Sequence, residues 1–201
     1  MSYRNLTESE IEQLTTQGCT ADDWKLITVS ESFKTDNIHH VYFSGKVKLG
    51  TYDTHTESDH GITRSAGIRH AYIKDCIIKD NVYISGIKCM MNYLIEDYVI
   101  IENVDRLIVS GETSFANGIE ITVLNEGGGR EVPIFDQLTA QIAYLMATYR
   151  HDPELIHNLN KIIVNYSESK KSKIGMIEEK ASIKDCGQIK NVNIGAFAQI
   201  S

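Results

Sequence analysis

Aliphatic residues fall about six apart over much of the chain: Ile78 and Ile84, Ile95 and Ile101, then Ile177, Ile183 and Ile189, and finally Ile194 and Ile200. Six is neither the 3.6 of a helix nor the alternation of a half-buried strand. It fits hexapeptide units, in which each hexad gives one short strand and one turn, three hexads close a coil, and the aliphatic side chain stacks on the coil below. Two positions before several of these aliphatics stand Cys76, Val82, Val99, Ala181 and Val192, small or β-branched residues suited to a narrow inward corner. Asn81, Asn103 and Asn191 each precede a Val at the turn, where Asn tolerates a left-handed backbone. The pattern predicts a mainly β chain, a parallel β-helix.

A local repeat supports the same reading. Ala71 to Ile84, AYIKDCIIKDNVYI, returns 110 residues later as ASIKDCGQIKNVNI, Ala181 to Ile194, with eight of fourteen positions identical. A weaker echo, IEDYVIIENV, begins at Ile95.

Four segments are expected: an N-terminal cap over 1–37, coils over 38–130, an inserted helical hairpin with its connector over 131–173, and resumed coils over 174–201. Thr7 and Glu10 form a capping box for a first helix, Leu6 can staple onto Ile11, and Gly18 supplies the stop. Strands are expected at Ile27 to Ser30 and Ile38 to Phe43, with Trp24 plugging the end of the solenoid. The polar stretch Thr51 to Arg64, with His55 and His60, should loop out. In NEGGGREVP, Asn125 to Pro133, three glycines permit positive φ and end the coils; beside Arg130 they could also cradle a phosphate. The spacing matches no nucleotide motif, so a plain turn is preferred.

The period then changes. Leu138, Ile142, Leu145, Met146 and Tyr149 share one helical face, as do Leu155, Leu159, Ile162, Ile163 and Tyr166, with Asp152 and Pro153 marking the second start. Ser167 to Lys173 reads as a solvated connector. Because coils run to Ile200 with no polar cap after them, a longer protein or a covering partner chain is expected.

The net charge of -7, from 20 basic and 27 acidic residues, advertises no basic face, so neither nucleic acid nor membrane is expected as a partner. No apolar run approaches a membrane span, and Ser2 to Gln17 is too polar for a signal peptide. Cys19, Cys76, Cys89 and Cys186 form no CxxC pair; reduced thiols favour a cytoplasmic location.

The opening YRNLTESEIEQLTTQGCTADDW, IENVDRL at Ile101 to Leu107, and VLNEGGGREVPIFDQL with AYLMATYRHDPELI resemble the N-terminal part of a family of long bacterial proteins of unknown function built on left-handed hexapeptide repeats. The hexads are similar more broadly to the trimeric acyltransferase superfamily. That resemblance implies a left-handed coil, a homotrimer, and acyl or acetyl transfer to a sugar or related small molecule, with acetyl-CoA or an acyl carrier protein as donor. It further implies a histidine as general base, a role suited to a side chain titrating near neutrality. His70 and His60 are the candidates, with His40 weaker. A zinc site like that of hexapeptide-repeat carbonic anhydrases is a minor alternative, since His55 and His60 match part of its spacing, though no third histidine is assignable. The alternative from another class is a non-catalytic structural or oligomerisation module.

Overall fold

The computed structural model describes residues 2–57, 63–123 and 127–201. The chain divides into two compact units, Met1–Ser110 with Ile174–Ser201, and Gly111–Lys173.

In the first unit helix α1, Glu8–Thr16, starts as its sequence dictates. Thr7 Oγ1 accepts from the Glu10 amide at 3.3 Å, the Glu10 carboxylate accepts from the Thr7 amide at 2.8 Å, and Gly18 follows the helix at φ 78°. Arg4 grips the same carboxylate with two hydrogen bonds of 2.9 and 2.7 Å. Trp24 tilts against Phe43, with ring centroids 6.3 Å apart.

Two sheets follow. One has six strands in the order Tyr3–Asn5, Ile27–Ser30, Val47–Leu49, Ile77–Ile78, Tyr93–Ile95 and Gly175–Ile177; its first pair is antiparallel and the rest are parallel. The other has seven parallel strands, again in chain order: Thr20–Ala21, Ile38–Ser44, Gly67–Lys74, Tyr83–Met91, Ile100–Ile108, Ser182–Lys190 and Gln199–Ile200. Register sets Ile38, Ile68, Ile84, Ile101 and Ile183 side by side, and none of the five exposes any surface. Burying each isoleucine contributes about 1.5–3 kcal/mol, so this one column is a large part of what holds the sheet.

The predicted mainly β, left-handed hexapeptide β-helix is corrected by this architecture. The structure is α/β, and the described residues form a mixed sheet, a parallel sheet, two further two-stranded antiparallel sheets and three α-helices. Hexad spacing marks where side chains are buried but not where backbone pairing starts and stops. Strands of nine residues, such as Tyr83–Met91 and Ile100–Ile108, run through a left-handed residue where one short strand per hexad was expected. Neighbouring rungs stand 16 residues apart from Ile68 to Ile84 and 17 from Ile84 to Ile101, the change falling at a register shift between Ile87 and Met90. The sequence repeat is not a superposed one either. Ile73 is matched by sequence to Ile183, yet Ile183 pairs with Ile101 while Ile73 pairs with Met90, and Ile95 stands in the other sheet beside Ile78 and Ile177.

The polar stretch after Thr51 contains a small antiparallel pair, His55–Glu57 against Thr63–Ser65.

In the second unit Glu120–Thr122 pairs with Glu131–Pro133, followed by α2, Ala140–Thr148, and α3, Pro153–Ser169. Asp152 caps α3 by accepting from the Leu155 amide at 3.0 Å, with Pro153 in the first turn. Val132, Met146, Ala147 and Ile163 form the core. The inward face of α3 differs from the predicted one, because Ile156 and Ile163 are buried while Ile162 is 64% exposed. The helix also continues through Ser167 to Ser169, where hydroxyls bond back to the carbonyls of Ile163 and Tyr166.

Candidate functional site

The seven-stranded sheet carries a column of residues in left-handed conformation. Between paired neighbours stand His40 (φ 54°), His70 (51°), Gly86 (69°), Asn103 (53°) and Asp185 (52°), one on each successive strand. Gly18, at φ 78°, precedes them beside His40, whose amide donates to Gln17 O at 3.0 Å. Short polar side chains and glycine tolerate this backbone best, which explains three of the residue types.

His70 is exposed, and its ring stacks on that of His40 with centroids 4.9 Å apart and planes 10° from parallel. Two residues further along the same strands Tyr42 stacks on Tyr72 at 5.2 Å. Asp22 accepts hydrogen bonds from the Tyr42 hydroxyl and, at 2.6 Å, from Ser44 Oγ; these two donors hold its carboxyl below the usual range. Two stacked ring pairs and one fixed carboxylate thus line the strands Ile38–Ser44 and Gly67–Lys74.

Sequence reasoning named His70 and His40 separately but missed their pairing. The signal is present, since His40-Val41-Tyr42-Phe43 and His70-Ala71-Tyr72-Ile73 repeat one pattern of left-handed, inward, outward and inward residues. The ring neighbour of His70 is another imidazole, whereas a general base is usually oriented by a carboxylate. His60 lies outside the described residues. His55, its partner in the zinc alternative, has Ser65 Oγ 3.4 Å from Nδ1. Among the described residues no group of three or more His, Cys, Asp or Glu side chains is placed to hold a metal ion.

Two other features bear on chemistry. The Gly129 amide, one a phosphate cradle would need, donates to Glu131 Oε1 at 2.7 Å and keeps that carboxyl below its ordinary range. Burial pushes the Cys76 thiol up to about 12 and raises that of Cys19, so neither is a ready nucleophile. A cavity of about 180 Å³ in the second unit is lined by Phe115, Ala116, Asn117, Ile134, Phe135 and Asp136.

Residues 3–201 match a family described as a domain of unknown function (DUF4954). The chain belongs to that family. It is 27% identical over 205 residues to an uncharacterized protein of Treponema pallidum (strain Nichols), an alignment that covers 96% of this chain and 28% of that protein. The chain therefore spans less than a third of that relative's length. No solved structure matches it. The family and the α/β architecture correct the resemblance drawn from the hexads. Neither carries a hexapeptide-repeat or acyltransferase assignment, and the roles that the resemblance gave to His70 and His60 lose their support. No helix among the described residues is long and apolar enough to cross a membrane.

Proposed function

We propose that this chain is a structural and self-association module of a longer cytoplasmic protein, working as a homo-oligomer, with a trimer as the favoured state. The observation that carries this reading is the balance of the second unit. Among the described residues its core gathers around Val132, Met146, Ala147 and Ile163, yet Tyr144 and Ile162 remain 62% and 64% exposed. Large apolar side chains left in water at that level are what association covers. Free thiols at Cys19, Cys76, Cys89 and Cys186 are in keeping with a reducing compartment, and a net charge of -7 argues against nucleic acid or anionic lipid as the partner.

Light scattering on the eluting 201-residue chain tests the proposal. A mass near three times 22.6 kDa, falling to one chain in Ile162→Glu with unchanged circular dichroism, is the expected result. A wild-type chain that stays monomeric at tens of micromolar overturns it.

A further inference from the structure

The left-handed column has one bare rung. His40 lies over Gly18, so a Cβ there would meet the His40 ring with Cε1 at 2.9 Å. His70 in turn lies against His40. On the far side Asn103 Nδ2 donates to Asp185 Oδ1 at 2.6 Å. Between these two groups stands Gly86, where a Cβ would meet only Asn103 N and Cα, at 3.6 and 3.7 Å, both ordinary contacts. Among the described residues no side-chain atom comes within 4 Å of that Cβ position.

The dimensions suit a flat ring. Rungs of a sheet are about 4.8 Å apart, so the His70 and Asn103 backbones, two rungs apart, are separated by roughly 9.6 Å. One planar group midway would sit from His70 as His70 sits from His40, at the 4.9 Å already realised in the column. One wall is the imidazole face turned away from His40. The other is polar, with the Asn103 amide backed by the Asp185 carboxylate, and so meets the face of a polar heteroaromatic ring at less cost than that of a hydrocarbon one. The backbones that carry both walls are held by ladder register in left-handed conformation, so little backbone ordering falls on binding.

We propose that Gly86 marks a binding slot for a planar nitrogen heteroaromatic ring of the purine type, which stacks on His70 and completes the column. This goes beyond the module reading and does not depend on it.

The test is a titration of the 201-residue chain with adenosine, a neutral probe, followed through the histidine ring resonances. Saturable shifts at His70, smaller ones at His40 and none at His39 are expected. Gly86→His puts a side-chain ring in the slot and should weaken adenosine binding at least tenfold. Gly86→Ala imposes the same backbone strain without filling the slot and should keep binding within about threefold, which separates blocking from misfolding. His70→Ala removes one wall and should also abolish saturation. Shifts that do not saturate by 10 mM adenosine, or equal affinity in Gly86→His, would overturn the proposal.

Discussion

Asn103 and Asp185 are joined by a 2.6 Å hydrogen bond across 82 residues of sequence. Both are left-handed, on adjacent parallel strands whose inward neighbours Val104 and Cys186 are paired. The bond ties together the strands on either side of the Gly111–Lys173 segment in the chain. Asn103→Ala loses the bond and puts a Cβ with no polar compensation in left-handed backbone, which should cost about 1–2 kcal/mol. Asn103→Gly loses the bond alone and should cost less. Urea unfolding of both variants, with Asp185→Ala completing a double-mutant cycle, checks the order; equal losses for Ala and Gly would refute it.

Close backbone packing makes Gly50 irreplaceable. A Cβ there would stand 2.6 Å from the carbonyl carbon of Lys79 and 2.7 Å from its oxygen, and backbone cannot swing aside as a side-chain tip can. Gly187 has nothing within 4 Å of the same position. Thermal melts should show Gly50→Ala destabilised by about 1–3 kcal/mol and Gly187→Ala within about 0.5 kcal/mol of wild type.

Acid should release α1 from its start. Hydrogen bonds from Arg4, outweighing the cost of burial, together with those of Thr7, lower the Glu10 carboxyl to about 2 from an ordinary 4.5. A depressed folded value means the stabilisation is fully present above pH 4.5 and is lost as the pH falls through 2. Glu10→Gln should be less stable than wild type by about 1 kcal/mol at pH 7, in line with the loss of a capping interaction. Denaturation curves at stepped pH should show that gap closing between pH 4.5 and 2; a constant gap would sink the assignment.

Thiol chemistry should sort the cysteines by burial. Cys19 and Cys76 are fully buried, and Cys89 and Cys186 are partly exposed. A colorimetric thiol reagent at pH 8 should react with two groups quickly and with the other two only on unfolding. Burial raises Cys76 to about 12 from 9, so its contribution is complete below pH 9 and is lost as the pH rises toward 12.

Local chemistry was the legible part of the sequence. The Thr7–Glu10 box, the Asp152–Pro153 start and the left-handed Asn81, Asn103 and Asn191 each depend on a few adjacent residues. The architecture is not legible in the same way, because six-residue spacing fixes burial, whereas strand length and sheet membership depend on which distant segments pair. The His40–His70 contact was hidden for a related reason: the Thr51–Arg64 insertion separates two rungs that would otherwise follow closely. Helical spacing in α3 defines a stripe but does not centre it, and packing centres it on Ile156 and Ile163, leaving Ile162 outward.

The distance in sequence between Asn103 and Asp185 also sets an order of events in folding. Rungs from Ile68 to Ile101 are joined by short connections, while the next one closes only after 82 residues have been gathered. Chain closure over 82 in place of 17 residues costs about 1.4 kcal/mol more by the logarithmic law, roughly a tenfold handicap in equilibrium terms. Pulsed hydrogen exchange during refolding should therefore find the amides of Tyr83–Met91 protected before those of Ser182–Lys190. The outermost strands join a template already assembled, so the chain matures from its N-terminal rungs outward.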